Sequence, residues 1–380
     1  MKSTSHLSFV QAIDSLRGGG LGLSAQNTSS ELSKAHPGSM LLTSSGKDEP
    51  LIVDENVRAF LRYSPQQAFY SPSMSGIIRR MVQTSDIIHG HGFYTAINAV
   101  VGRYARKYER PLVYHAHGIL DPWILERSKI KKKIAHTLFE DRNYKYAKLW
   151  RALTDKEAGQ IRDFGIEAPI VVIPNGATVL SDEEIELYQK IGLKNRPKKR
   201  KRLLFVGRLH PKKGLPMLIE AYHLIRHDLR DWELSIYGPD EGNHLCELRE
   251  QMSRLNLGND ISILGSVGGE DKHAAFCSSD VFVLPSHSEG LPMAVIEAAS
   301  YGLPVMQTTE CNFPALTEVG GAFECLPNVD DIMQCLRRVT STSEEELKQR
   351  GLAGRQFVAQ RYSWTQVAKD LHDASIQHCL

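Results

Sequence analysis

The sequence has no uninterrupted apolar run near the roughly 18 residues that cross a bilayer, and its first residues lack the apolar core of a signal peptide. It has no C-x-x-C pair, and all six cysteines lie in the C-terminal half. A net charge of only +2 excludes a polyanionic partner selected by bulk charge. These absences predict a cytoplasmic protein with reduced thiols that binds no nucleic acid.

The chain has 380 residues, of which 42% are hydrophobic and 24% charged, so it suits two globular domains. Short apolar runs alternate with longer amphipathic ones, which is typical of βα units and a largely parallel sheet. We predict strands at Leu7–Ile13, Met40–Thr43, Ile87–His89, Leu112–His115, Ile170–Ile173, Leu203–Val206, Glu233–Tyr237, Ile261–Leu264, Val281–Leu284 and Pro304–Gln307. We predict helices at Ser75–Val82, Ala96–Tyr108, Lys129–Leu149, Leu215–Ile225, Cys246–Leu255, Pro292–Tyr301 and Trp364–Gln377.

A basic stretch without periodicity, residues 194–202, separates two series of βα units and is interpreted as a linker. Residues 1–193 then form the first lobe and residues 203–355 the second. Residues 356–380 contain a last helix that we expect to pack back on the first lobe. The fold class is therefore α/β, with two Rossmann-like doubly wound lobes facing each other across a cleft, where ligands meet the carboxyl ends of strands.

The segment Gly207–Gly214 follows the predicted strand RLLFV and precedes a helix. Arg208 offers a planar fork and Lys213 a compact charge, and the helix start adds free amides, so the segment suits a diphosphate. A solvent-exposed basic turn is the alternative interpretation.

A second polar loop, Ser286–Pro292, follows the strand VFVLP and leads into a helix. Its Glu289 and the helical Glu297 are candidates for binding sugar and ribose hydroxyls, because a carboxylate accepts two hydrogen bonds in one plane. The amides of Gly290 and Leu291 are candidates for phosphate oxygens. The alternatives are a helix-dipole carboxylate for Glu289 and a surface charge for Glu297.

The span from Arg202 to about Val339 resembles the donor lobe of family 4 (group 1) glycosyltransferases, which have the GT-B fold. Three features match in order and spacing: GRLHPKKG, SSDVFVLPS, and two glutamates separated by seven residues in EGLPMAVIE.

The resemblance implies roles for residues of the second lobe. Arg208 and Lys213 would bind the donor diphosphate, Glu289 the transferred sugar, and Glu297 the ribose. Lys212 is an additional cation whose role the pattern does not fix. Gly238, which ends a strand where the family holds the nucleotide base, is a further donor-binding candidate.

Glycines follow the first predicted strand, where the family keeps a glycine loop against the donor phosphates. Gly19 and Gly20 are the donor-binding candidates, since glycine lets backbone amides approach an anion. Gly20, Gly22 and Ala25 also fit the dinucleotide pattern G-x-G-x-x-A. That alternative ranks second, because the next strand does not end in an acidic residue.

Two H-x-H pairs end strands of the first lobe. His117 resembles the family's cleft histidine, which implies contact with the sugar or relay of the acceptor proton. His91 is a candidate for the acceptor side, and His115 is interpreted as a hydrogen-bonded strand histidine. The pairs come from separate strands without a nearby carboxylate, and the chain has no D-x-D triplet, so we expect neither a metal nor another cofactor.

Two further segments allow two interpretations each. Asn175 and Gly176 belong to a strand-end PNG that is either a structural turn or a ligand contact. Residues 127–133 form a basic amphipathic pattern, interpreted as a solvated helix surface or as a peripheral contact with anionic lipid at the inner face of a membrane.

The resemblance implies a retaining, metal-independent, hexosyltransferase-like enzyme that moves a sugar from a nucleotide diphosphate to an acceptor hydroxyl. The acceptor, bound by the N-terminal lobe, would be a saccharide or a lipid-linked molecule in polysaccharide or glycolipid biosynthesis. The alternatives are a nucleotide-sugar epimerase or sugar phosphorylase of the same fold, and a non-catalytic sugar-nucleotide-binding subunit.

Overall fold

The computed structural model describes residues 4–10, 12–13, 19–45, 55–61, 72–92, 95–118, 141–194 and 200–380. The chain divides into two compact units. The first contains the residues up to Gly176 together with Trp364–Leu380, and the second is Ala177–Ser363. Each unit is a parallel sheet covered by helices, as βα alternation requires.

The sheet of the first unit has seven parallel strands in the order β3-β2-β1-β4-β5-β6-β7. These strands are β1 His6–Phe9, β2 Met40–Ser45, β3 Val57–Leu61, β4 Ile87–His91, β5 Leu112–His115, β6 Leu149–Ala152 and β7 Ile170–Val172. The helices of this unit are α1 Gly19–Ala35, α2 Pro72–Thr84, α3 Ala96–Lys107, α4 Asp141–Tyr146, α5 Asp155–Asp163 and, from the chain's end, α14 Trp364–Cys379.

The central strands of the first unit are buried on both faces, and successive residues pack into two different cores. Ile88 and Tyr114 point into a core with α2 and α3. Ile87 and Val113 point to the opposite face, where Leu371 of α14 packs. The same face carries buried histidines, which the alternation of strand side chains places in line.

The sheet of the second unit has six parallel strands in the order β10-β9-β8-β11-β12-β13. They are β8 Lys201–Val206, β9 Trp232–Tyr237, β10 Ile261–Ile263, β11 Val281–Leu284, β12 Val305–Thr308 and β13 Ala322–Cys325. The helices are α6 Asp182–Lys194, α7 Leu215–Leu224, α8 His244–Arg254, α9 Gly269–Cys277, α10 Met293–Ser300, α11 Pro314–Glu318, α12 Val329–Ser341 and α13 Glu344–Arg361.

Local sequence explains several helix starts in the second unit. Asn328 accepts a hydrogen bond from the amide of Asp331 at the start of α12, and Ser343 accepts one from Glu346 at the start of α13. Acidic residues in both first turns favour the positive end of the helix dipole. One continuous apolar core fills the unit around Phe205, Phe276 and Phe282.

The predicted α/β fold of two Rossmann-like lobes is confirmed, and the strands predicted from apolar runs are present with ends shifted by a few residues. Three strands, β3, β6 and β13, were not predicted. The prediction that a helix continues to Leu149 was wrong, because Leu149–Ala152 pairs with β5 and β7. In β3 and β6 an arginine interrupts the apolar run and hides the strand signal.

The units divide at places that differ from the sequence-based division. Helix α6, assigned to the first lobe up to residue 193, belongs to the second unit, where its Gly192 lies directly against Ser278. The chain rejoins the first unit at Trp364. Most of the expected linker and the basic pattern at 127–133 lie outside the described residues. Among the described residues, no helix has the length and apolarity needed to span a bilayer.

Candidate functional site

The candidate site of the second unit lies where the strand order reverses. Strands β8 and β11 are neighbours, although two other strands separate them in sequence, and this reversal opens a crevice at the carboxyl ends of the strands. The segments Gly207–Gly214 and Ser286–Pro292 are the loops that follow these two strands. Both motifs identified in the sequence therefore lie at the switch point.

Backbone hydrogen bonds join the loops at this edge. The amide of His287 donates to the carbonyl of Lys212 at 2.8 Å, which connects the loops after β8 and β11. The amide of Leu209 donates to Pro239 at 2.9 Å, which connects the loops after β8 and β9. These bonds hold the loops as one surface.

Lys213 and Glu289 are in direct contact. Lys213 Nζ donates to Glu289 Oε1 at 2.7 Å, and Ser286 Oγ donates to the same oxygen at 2.5 Å. The lysine and glutamate side chains are only 17% and 11% exposed, so the pair is shielded from water and the loss of either partner would leave a costly charge. The structure therefore brings together one predicted phosphate-binding residue and one predicted sugar-binding residue.

Arg208 is held less firmly. Its Nη1 donates to Glu241 Oε2 at 2.6 Å, but its side chain is 65% exposed. An exposed ion pair contributes little to stability because water screens it. The guanidinium is consequently free to exchange this carboxylate for another anion.

Glu297, in α10, pairs with a residue that the sequence analysis missed. Lys272 Nζ, from α9, donates to Glu297 Oε1 at 2.8 Å, and both side chains are partly buried. The sequence carries no signal for this lysine, because 25 residues separate the two partners and no motif contains Lys272. The structure gives no direct contact between this pair and the Lys213–Glu289 pair.

The glycines of this edge fall into two groups. A Cβ on Gly238 would lie 1.7 Å from the carbonyl oxygen of Gly207, and one on Gly214, where φ is +70°, would lie 1.9 Å from that of Pro285. Packing therefore explains both. Gly290 is exposed, and no described atom lies within 4 Å of its hypothetical Cβ. Packing does not explain Gly290, and neither its amide nor that of the half-buried Leu291 donates a hydrogen bond among the described residues.

A cavity of about 750 Å³ lies at the opposite edge of this sheet, beside Lys201 and Asp280 at the amino ends of β8 and β11. None of the candidate donor-binding residues lines it. The chemistry predicted from sequence belongs to the carboxyl edge.

In the first unit, Gly19 and Gly20 form the start of α1. A Cβ on Gly20 would meet no described atom within 4 Å, whereas one on Gly22 would lie 2.5 Å from the carbonyl oxygen of Ala12. Packing against described atoms therefore explains Gly22 but not Gly20, and the first-turn amides of α1 have no partner within the helix itself.

The PNG turn is a structural element of the first unit. Asn175 Oδ1 accepts from Ser24 Oγ of α1 at 2.7 Å, and a Cβ on Gly176 would lie 2.7 Å from the ring of Trp364. The sequence allowed either a structural turn or a ligand contact here, and these contacts favour the structural turn.

The two candidate histidines of the first unit contact each other. His91 Nδ1 lies 3.0 Å from His117 Nε2. The other nitrogens, His91 Nε2 and His117 Nδ1, are buried and have no hydrogen-bond partner among the described residues. His117 also has φ of +50°, an uncommon value for a residue other than glycine. Unpaired buried nitrogens beside backbone strain mark a place prepared for a ligand.

His115 is hydrogen-bonded, as the sequence analysis expected for a strand histidine. Its Nε2 lies 3.2 Å from His89 Nδ1, and its Nδ1 lies 3.5 Å from Nη1 of Arg151. Arg151 was not predicted, because a single arginine in the strand LWRA is not a motif. Its guanidinium is fully buried and donates to the carbonyl oxygens of Ile173 and Pro174.

Burial controls protonation in this cluster. Burial, with a smaller contribution from Arg151, lowers the pKa of His117 to about 3. The pKa values of His91 and His115 are also well below the ordinary value, mainly because of burial. Neutral imidazoles therefore occupy this edge at neutral pH and can accept or donate hydrogen bonds but cannot supply positive charge.

The same histidines bear on the question of metal binding. One nitrogen from each of His91, His115 and His117 lies within 4.8 Å of the other two. The sequence-based argument that the H-x-H pairs are separate does not hold, because β4 and β5 pair with His91 opposite His115. His115, however, uses both ring nitrogens, and the nearby Arg151 disfavours a cation, so the cluster fits a polar neutral group better than a metal.

Two family profiles match consecutive parts of the chain. "Glycosyl transferase 4-like domain" matches residues 19–176, and "Glycosyl transferases group 1" matches residues 189–357. The first match coincides with the histidine-lined unit and the second with the unit that carries the ion pairs.

Individual proteins show the same similarity. An uncharacterized glycosyltransferase of Haemophilus influenzae is 30% identical over 35% of this chain and 33% of its own length. The O-antigen chain mannosyltransferase B of Escherichia coli is 30% identical over 42% of each chain. The chain thus aligns with less than half the length of these relatives. Anabaena Alr3699/HepE, solved in complex with UDP-glucose, superposes with a TM-score of 0.69 over 98% of this chain and 99% of its own, at 19% identity.

Proposed function

We infer that this chain belongs to the group 1 glycosyltransferases with the GT-B fold. From this premise, we propose that it transfers a sugar from a nucleotide diphosphate to an acceptor hydroxyl with retention at the anomeric carbon. The observation that carries the proposal is the contact between Lys213 and Glu289 at the switch point between β8 and β11. A phosphate-binding cation and a hydroxyl-binding carboxylate would then bind adjacent parts of one nucleotide-sugar donor.

In this mechanism the charge that grows on the departing diphosphate is stabilised electrostatically. Arg208 exchanges the exposed carboxylate of Glu241 for a phosphate oxygen, and Lys213 is already held in place by Glu289. The amides of Gly290 and Leu291 add neutral donors. Preplaced donors are effective because they need no reorganisation as charge develops.

The carboxylates recognise hydroxyl groups. Glu289 accepts from Ser286 and Lys213 through Oε1, which leaves Oε2 for the transferred sugar. Glu297 likewise pairs with Lys272 through Oε1 and keeps Oε2 for the ribose. Each lysine fixes the plane of its carboxylate and so orients the free oxygen.

We assign recognition of the acceptor hydroxyl to the histidines of the first unit. His117 contacts it or the transferred sugar as a neutral imidazole, oriented by His91. Because the pKa of His117 is about 3, this residue is a poor base. The leaving phosphate oxygen therefore receives the acceptor proton, and His117 positions the groups.

No metal is required in this scheme, because cationic side chains and backbone amides meet the diphosphate. The donor is a nucleotide sugar, as in the UDP-glucose complex of the Anabaena neighbour. The acceptor is a saccharide or a lipid-linked sugar of polysaccharide or glycolipid biosynthesis, consistent with the O-antigen mannosyltransferase among the relatives. Peripheral membrane contact through residues 127–133 is tested by mixing the purified protein with anionic vesicles at low salt. Absence of binding would contradict it.

A thermal-shift screen against nucleotide sugars tests the donor, since ligand binding stabilises the folded state by mass action. A hit is then incubated with an acceptor panel, and the anomeric configuration of the product is read by NMR. An isomerised donor would indicate an epimerase, dependence on free phosphate a phosphorylase, and binding without turnover a non-catalytic subunit. An inverted anomer would contradict retention alone.

A further inference from the structure

A second group of histidines lies at the opposite edge of the first sheet from the candidate site. His6 is the first residue of β1, His36 follows the end of α1, and His372 lies in α14. One ring nitrogen from each lies within 4.8 Å of the other two. His6 and His372 are 366 positions apart in the chain, yet their Nε2 and Nδ1 atoms are 2.9 Å apart.

We propose that His6, His36 and His372 bind one divalent transition-metal ion, with Zn²⁺ as the representative. Imidazole nitrogen is a preferred ligand of Zn²⁺, and three histidines with one water complete a tetrahedral shell. His36 and His372 are half-buried and border a cavity of about 470 Å³, which provides room for the ion and its water.

The surroundings favour the bound state. His6 Nδ1 lies 2.8 Å from His89 Nε2, which fixes the His6 ring from behind, as second partners of metal-bound histidines do. Asp373, near His36, adds compensating negative charge.

Metal binding requires two local changes. The His36 ring, now stacked on His372 at 3.8 Å, must turn so that its nitrogen faces the ion, and its position in a half-buried turn permits this. His6 must carry its hydrogen on Nδ1 and donate it to His89, which in turn donates from Nδ1 to His115. This arrangement puts the hydrogen of His115 on Nδ1, where it faces the donor Nη1 of Arg151 across 3.5 Å, so the second change includes lengthening that contact.

The position of the cluster indicates a structural role. The three ligands come from the amino end of β1, the end of α1 and the chain's last helix, and the motif residues lie at the carboxyl ends of the strands. An ion here would tie α14 to the sheet that it rejoins after the second unit. It would stabilise the first unit without taking part in sugar transfer.

The test uses the full-length protein, freed of metal with a chelator. Zn²⁺ affinity is measured by competition with a chromophoric chelator, and Co²⁺ is added separately to read the visible absorption of tetrahedral coordination. We expect one ion per chain with Kd below about 10 µM and a higher Tm with Zn²⁺. His36→Gln and His372→Gln should each weaken binding at least about tenfold. His227→Gln, an exposed histidine of the second unit, is the matched control.

Circular dichroism and the metal-free Tm verify that each variant folds. His6→Gln is not used, because His6 is buried in β1 and its replacement also removes the 2.8 Å contact with His89. The proposal is overturned if wild type binds neither ion in this range, or if His36→Gln and His372→Gln bind like wild type. It is equally overturned if His117→Gln abolishes binding while His36→Gln does not, since the ion would then occupy the other histidine cluster.

Discussion

The carboxyl edges of the two sheets share one topology but use opposite electrostatics. Both sheets reverse strand order after their first three strands, and both present their candidate residues at the reversal. In the second unit these residues are charged pairs, Lys213 with Glu289 and Lys272 with Glu297. In the first unit they are neutral imidazoles around a buried arginine.

In the proposed function, this difference in charge corresponds to two different ligands. A departing diphosphate needs positive charge, which the lysines of the second unit would supply while carboxylates hold them in place. A neutral acceptor hydroxyl needs hydrogen-bond partners without net charge, which His91 and His117 would provide because burial lowers their pKa values. Four predictions test this contrast, from the largest expected effect to the smallest.

Acidification should destabilise the first unit. His91, His115 and His117 have folded pKa values below the ordinary 6.5, so the unfolded chain binds more protons as pH falls below that value. Each then removes up to about 1.4 kcal/mol of stability per pH unit, and for His117 the loss continues to a pH of about 3. Urea denaturation of Trp232→Phe in the presence of a chelator, monitored by tryptophan fluorescence, reports the first unit, since the described tryptophans that remain, Trp150 and Trp364, belong to it.

The urea midpoint should fall clearly between about pH 7.5 and pH 5. An unchanged midpoint would mean that these imidazoles are protonated or exposed in the folded chain, and the contrast between the two edges would disappear.

Lys213→Ala should lower kcat/KM by about 10²–10³-fold, the range for removing one preplaced donor to a developing anion. Its neighbour Lys212 is the matched control, because it is exposed and has no ion pair among the described residues. Lys212→Ala should retain most activity. Steady-state kinetics with the donor found by thermal shift compares them, and equal losses would count against a specific role for Lys213.

Gly214→Ala should destabilise the second unit by at least about 2 kcal/mol, because φ is +70° and the new Cβ would overlap the carbonyl of Pro285. Gly290→Ala should change stability by less than about 0.5 kcal/mol but raise the KM for the donor. Chemical denaturation and kinetics distinguish the two. A Gly290→Ala variant with wild-type KM would remove that loop from the donor site.

Glu241→Gln should change stability by less than about 0.5 kcal/mol, since the Arg208–Glu241 pair is exposed. It should also leave turnover within a few-fold of wild type, because Arg208 needs this carboxylate only while no anion is bound. A large loss of turnover would show instead that Glu241 positions Arg208 for catalysis.

The sequence was most informative where function lies in contiguous residues. The segments that contain Arg208, Lys213 and Glu289 follow apolar strands and precede helices, so local pattern alone assigns them to the carboxyl edge of a parallel sheet. The same local logic failed for β6, where the arginine that interrupts LWRA is a buried partner of His115 rather than a surface residue.

What the sequence determined by itself is the alternation of strands and helices, the two Rossmann-like units and the motif loops, because hydrophobic periodicity and turn residues act over a few positions. Only the tertiary structure decided which distant side chains meet: Lys272 with Glu297, Arg151 with His115, and His6 with His372. Such pairs form through strand order and helix packing, and long separation along the chain leaves no local pattern from which to infer them.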